Sequence, residues 1–70
     1  MDFAESYLVE AKRQIDSTLH KLRETVKTLK AKEKPNHYKS QITLANRRIE
    51  ALEISVFLIE REINDLDKKS

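Results

Sequence analysis

The second half of the chain carries apolar residues at alternating spacings of three and four. The row has eight members: Ile42, Ala45, Ile49, Leu52, Val56, Ile59, Ile63 and Leu66. This rhythm places all of them on one narrow stripe of an α-helix, a pattern typical of a coiled coil. The first half carries a sparser row in the same rhythm: Leu8, Ile15, Leu19, Leu22, Val26 and Leu29. The pattern therefore predicts two long helices, each with one apolar stripe.

The strongest break between the two rows is the stretch from Lys32 to His37. Pro35 cannot continue a helix, and Asn36 is a favoured N-cap residue. The two helices are therefore predicted over about residues 3–32 and 37–68. At the start of the first, Asp2 and Glu5 have the spacing of a capping pair.

If the chain folds back at the break, residues that face each other have numbers with a constant sum. Six pairs share the sum 71: Leu29 with Ile42, Val26 with Ala45, Leu22 with Ile49, Leu19 with Leu52, Ile15 with Val56, and Leu8 with Ile63. The predicted fold class is all-α, an antiparallel two-helix coiled-coil hairpin forming a single domain over residues 1–70. In two layers a charged residue would face an apolar one, Lys12 with Ile59 and Glu5 with Leu66, so the N-terminal end is expected to pack less regularly.

A second set of apolar and small residues lies outside these stripes. Leu44, Ala51 and Leu58 recur every seven residues, as do the small side chains Ala4, Ala11, Thr18 and Thr25 on the first helix. The predicted interface comprises Tyr7, Ala11, Thr18, Leu44, Ala51, Ile54, Phe57 and Leu58. We expect a second copy of the hairpin to cover it, giving a homodimeric four-helix bundle. The alternatives are docking of a different protein, or isolated apolar residues of an ordinary surface.

Composition agrees with a small helical domain. The 70 residues include no Gly, one Pro and 37% charged residues, which favours continuous helix. Cysteine is absent, so disulfides and thiolate metal sites are excluded. There is no long apolar run, and the first residues are acidic where a secretory signal is basic. A cytoplasmic protein with no membrane partner is expected.

Charge is distributed unevenly along the predicted hairpin. The stretch from His20 to Arg48 has nine Lys and Arg against two acidic residues, a balance of +7, and the remainder has a balance of −5. The tip next to the turn is a candidate phosphate-binding site, formed by Lys30, Lys32, Lys34, His37, Tyr38 and Lys39. The same asymmetry would also orient an assembly, or serve only as solvated surface. Arg23 and Glu53 are predicted to pair across the two helices.

The sequence contains no pattern typical of catalysis. His20 and His37 are far apart, and the carboxylates of Glu60, Glu62, Asp65 and Asp67 point apart on a helix. Nucleophile, phosphate-loop and zinc-protease motifs are missing, so no enzyme activity, metal or cofactor is predicted. The predicted function is a protein–protein interaction or oligomerisation module, a small coiled-coil adaptor or regulator that self-associates. The alternative is a small nucleic-acid-binding regulator that uses the basic tip.

Overall fold

The chain forms a helical hairpin. A computed structural model describes residues 3–32 and 35–69. Helix α1 spans Glu5–Lys30 and helix α2 spans Lys39–Lys69, with a 3₁₀ turn at Pro35–Tyr38 between them. The two helices pack against each other along a rod of 53 × 17 × 15 Å. The predicted all-α hairpin is confirmed.

Two side-chain pairs fix the relative direction of the helices. Lys12 lies 3.5 Å from Glu60, and Arg23 lies 3.5 Å from Glu53. Residue numbers thus rise along α1 as they fall along α2, so the helices are antiparallel. The predicted ion pair between Arg23 and Glu53 is confirmed. Pairs this exposed contribute little to stability, because water and salt screen them.

Both helices begin two residues later than predicted. The N-cap of α1 is Ala4, which has extended backbone angles and makes no side-chain cap hydrogen bond. The predicted cap is therefore wrong in position. Asp2 itself lies outside the described residues. Asn36 lies inside the 3₁₀ turn, and α2 begins only at Lys39. The reason is that a short 3₁₀ segment is a common way into an α-helix, and it shifts the α-helical start past the residue with the best capping chemistry.

The C-terminal end of α1 closes without a glycine. The Ala31 N–H donates to the carbonyl oxygens of Lys27 and Thr28, both at 3.2 Å, and the Lys32 N–H donates to that of Leu29 at 3.3 Å. This tightening of the last turn satisfies carbonyls that would otherwise have no intrahelical partner.

The two predicted apolar rows supply all of the buried residues described. Every member of both rows is buried or half-buried. The most shielded are Leu19, Val26, Ala45 and Leu8, with exposed fractions of 3%, 7%, 8% and 9%. The core is therefore a single seam, formed by one stripe of each helix.

Such a seam leaves the hairpin with a large surface for its mass. A compact monomer of 8.2 kDa is expected to expose about 4,500 Å². The hairpin exposes 5895 Å², an excess of about 1,400 Å². Its radius of gyration is 15.9 Å, against about 11 Å for a compact chain of this length. The hairpin is therefore an elongated rod with more exposed surface than a compact domain of the same mass.

Lys12 interrupts the seam near the base, the end of the hairpin away from the turn. Its side chain is half-buried, and its ammonium donates to Asp16 Oδ2 at 2.9 Å and lies 3.5 Å from Glu60 Oε1. The aliphatic stem can thus pack in the seam while the charge reaches its edge. On the other side of the seam an apolar groove opens at the same level, lined by Phe3, Tyr7, Leu8, Ala11 and Ile59.

Candidate protein interface and basic tip

The hairpin has two broad faces, one on each side of the seam. In an α-helix each residue is rotated by 100° from the one before it. On α1, the residues that directly follow Ile15 and Leu22 therefore flank the seam on one side. The residues that directly precede Lys12 and Leu19 flank it on the other side. We call the first side the charged face; it carries Asp16, Arg23, Glu53, Phe57 and Glu60. We call the second side the apolar face; it carries Tyr7, Ala11, Thr18, Leu44, Ala51, Ser55 and Leu58, with the exposed charged residues Arg48 and Glu62 beside them.

Phe57 lies on the charged face. With Asp16, Arg23, Glu53 and Glu60 it lines a shallow groove, and 62% of the residue is exposed. It lies about 100° around α2 from Leu58, the next residue in the chain. Ile54, with 54% exposed, points away from the seam between the two faces. Ile54, Phe57 and Leu58 are three and four residues apart, so they are neighbours on the outer side of α2. The predicted interface as a whole stays a prediction.

The remaining predicted interface residues share the apolar face. Tyr7 and Ala11 line the basal apolar groove. Leu44 and Leu58 are 54% and 52% exposed, large fractions for leucine. Ala51 is exposed between them, one helical heptad from each. Along α2 this row is continuous from the tip towards the base.

The hydroxyl groups of the two small polar residues on the apolar face, Thr18 and Ser55, already have hydrogen-bond partners. Thr18 Oγ1 donates to the Gln14 carbonyl at 3.1 Å, and Ser55 Oγ donates to the Ala51 carbonyl at 3.0 Å. Covering a donor that keeps its partner costs much less than covering an unpaired one. By contrast, a molecule covering the charged face would desolvate the interhelical ion pairs, which is costly.

The basic tip surrounds Tyr38. Lys30, Lys32, His37 and Lys39 are exposed, whereas Tyr38 is half-buried. The His37 ring meets the Tyr38 ring edge-on with centroids 5.2 Å apart, and Lys32 Nζ lies 5.9 Å from the Tyr38 centroid. Because Tyr38 is half-buried, it offers less ring surface for base stacking than the sequence predicts. Lys34, also predicted at this site, lies outside the described residues.

The opposite end of the rod is acidic. The side chain of Asp67 raises the pKa of Glu5, first through a hydrogen bond and then through its negative charge. Hydrogen bonds from Arg13 and Gln14, both 2.9 Å long, lower the pKa of Glu10. Two carboxyl groups that share a hydrogen bond repel each other once both are ionised, so the Glu5 end of the rod concentrates negative charge.

Two kinds of site are absent from the described part of the chain. Within residues 3–32 and 35–69, no three His, Asp or Glu side chains come together to hold a metal ion. Neither described helix combines the length and apolar character needed to cross a membrane.

No protein-family model, curated protein or solved structure matches this chain.

Proposed function

We propose that this chain is a non-enzymatic protein–protein interaction module: a coiled-coil hairpin that self-associates through its apolar face into a four-helix dimer. The observation that carries the proposal is the excess exposed area of about 1,400 Å², together with the half-exposed Leu44 and Leu58 on one face. Such a module is typical of a small adaptor or regulator protein.

The coiled-coil assignment rests on the seam. The shielded residues follow the alternating three and four spacing through both helices. In antiparallel coiled coils such residues meet in layers, and the sequence pairs them with a constant sum. The half-buried Lys12 is a polar residue at one of these layers, a feature that helps to set register.

The size of the apolar face suits a dimer. A broad face of the rod measures 53 by 17 Å, an area of about 900 Å² per copy, close to the roughly 800 Å² that each partner contributes to an interface of standard size. A single seam gives a 70-residue chain only about 3 to 5 kcal/mol of stability, so burying a second face also supports folding.

Sedimentation equilibrium across a concentration series tests the proposal. The expected result is a shift from 8.2 kDa towards twice that mass between about 1 and 200 µM. Apolar association responds little to salt, so raising the salt concentration should leave most of the dimer intact. A mass of 8.2 kDa at every concentration would mean that a different protein covers the apolar face, or that the face stays exposed.

A second candidate function is nucleic-acid binding by the tip. The exposed cations Lys30, Lys32 and Lys39 lie together at the end that carries the balance of +7. Contacts to phosphates release counterions, so binding should weaken steeply between about 50 and 200 mM salt and after substitution of these lysines by Gln. The matched control replaces Lys68 and Lys69, at the other end of α2, by Gln. The absence of any gel shift with RNA or DNA at low salt would exclude this function.

A further inference from the structure

The structure also indicates how the second copy is oriented. Accepting the proposed self-association, we infer that two hairpins pack antiparallel, apolar face to apolar face, about a two-fold axis near Ser55. In this arrangement each Leu58 lies against Ala51 of the other copy, and each Arg48 faces Glu62 of the other copy.

Symmetry leaves two ways to bring identical faces of two rods together. If the two-fold axis runs along the rods, tip lies beside tip and α1 covers α2 of the other copy. If the axis runs across the rods, tip lies beside base and α2 covers α2 of the other copy.

Charge selects the second arrangement. Antiparallel packing places the half with a balance of +7 beside the half with a balance of −5, whereas parallel packing places like charge beside like charge. Parallel packing would also bring together two bases whose Glu5 and Asp67 carboxyl groups already crowd each other. Opposite charges lie within a Debye length of about 8 to 10 Å across such an interface, so the difference survives physiological salt.

Overlap of the two rods sets the register. The midpoint of α2 (Lys39–Lys69) is residue 54, so full overlap of antiparallel α2 helices pairs residues whose numbers sum to about 108. On the apolar face the nearest matches are Ala51 with Leu58, Ser55 with Ser55, and Arg48 with Glu62, which sum to 109 or 110. These pairs lie within about 3 Å of full overlap, since each residue advances a helix by 1.5 Å.

The matches in this register are complementary in both size and charge. Leu58 is large and half-exposed, whereas Ala51 is small and exposed. The large side chain therefore packs against the small one, and symmetry produces this contact twice in the dimer. Ser55 is half-buried, and its hydroxyl is already bonded within its own helix, so a neighbouring copy meets a small, satisfied group at the axis. Arg48 and Glu62 flank the row and are exposed.

Disulfide trapping measures the arrangement directly, since the chain has no cysteine of its own. We expect Ser55→Cys to cross-link with itself under mild oxidation. The matched control is Thr43→Cys, because Thr43 is another α2 residue whose hydroxyl bonds to a carbonyl four residues back, but it flanks the charged face. In the parallel arrangement Ser55 would lie opposite Thr18 of the other copy. Preferential linkage in a mixture of Ser55→Cys and Thr18→Cys chains, resolved by mass spectrometry, would overturn the inference, as would equal linkage of Thr43→Cys.

Charge reversal provides an independent measurement. Arg48→Glu and Glu62→Arg should each weaken the dimer about tenfold, because each change affects two symmetric pairs, and the double variant should recover most of the affinity. Equal losses that simply add in the double variant would overturn the pairing. A wild-type chain that sediments as a dimer but fails both tests refutes only the antiparallel register, whereas a wild-type monomer refutes the proposed function itself.

Discussion

Adjacent substitutions at Leu58 and Phe57 distinguish the two faces of the hairpin. Both residues lie within α2 and both are more than half exposed, at 52% and 62%. They are about 100° apart around the helix, Phe57 towards the charged face and Leu58 towards the apolar face. Leu58→Asp and Phe57→Asp introduce the same residue at neighbouring positions, so their effects on helix propensity differ only by the small difference between Leu and Phe. Their effects on association should differ.

The expected loss for Leu58→Asp follows from its exposure. Full burial of a leucine side chain stabilises by about 1.5 to 3 kcal/mol, so burying the remaining half contributes about 0.8 to 1.5 kcal/mol per copy. Two copies give about 1.5 to 3 kcal/mol, a loss of roughly 10- to 150-fold in dimer affinity before any charge is considered. Covering the aspartate then adds a desolvation penalty.

The assay is sedimentation equilibrium of both variants beside the wild type, with helicity followed by circular dichroism. We expect Leu58→Asp to be monomeric at concentrations where Phe57→Asp remains dimeric. If Phe57→Asp dissociates the dimer and Leu58→Asp does not, the interface is on the charged face. If neither does, the second copy contacts neither face.

Three further predictions concern the hairpin itself. Leu19→Ala should destabilise the hairpin by about 2 to 4 kcal/mol, since Leu19 is the most buried residue described. Thermal denaturation should show that most of the helix is lost. An unchanged melting temperature would contradict a core that lies in the seam. Lys12→Leu should raise the melting temperature, because it extends the apolar layer against Ile59, and a lower melting temperature would show that the contacts of Lys12 with Asp16 and Glu60 matter more. Glu5→Gln should raise the melting temperature at neutral pH, and its advantage should shrink as pH falls. The direction of this pH dependence follows from the raised pKa, because the folded state holds the Glu5 proton more tightly than the unfolded state does. Acidification through that pKa protonates Glu5 and already relieves its repulsion from Asp67. A gain in melting temperature that grows in acid would refute this prediction.

Much of the fold was readable from the order of residues. Helical periodicity is local, so the spacing of apolar residues identified both stripes, and the single proline located the turn. The constant sum of facing residues then followed from geometry alone, because both helices advance by the same distance per residue. The pair of Arg23 with Glu53 follows from the same register.

The candidate interface was only partly readable. Periodicity showed that Leu44, Ala51 and Leu58 form a row and that Phe57 lies elsewhere on the helix, but which of these residues share a surface depends on where α1 lies beside α2. The capping positions were misjudged as well, because alternatives near a helix end differ by little energy and packing decides between them. Lys12 likewise reads as a defect in the stripe until the positions of Asp16 and Glu60 show where its charge goes.

The sequence by itself determined the two helices, their pairing and the polarity of charge along the rod, since these depend only on spacing along each helix. Only the tertiary structure decided which flank of the seam is charged and which is apolar. The reason is physical: a flank belongs to both helices at once, and its chemistry exists only after the side chains of α1 and α2 meet.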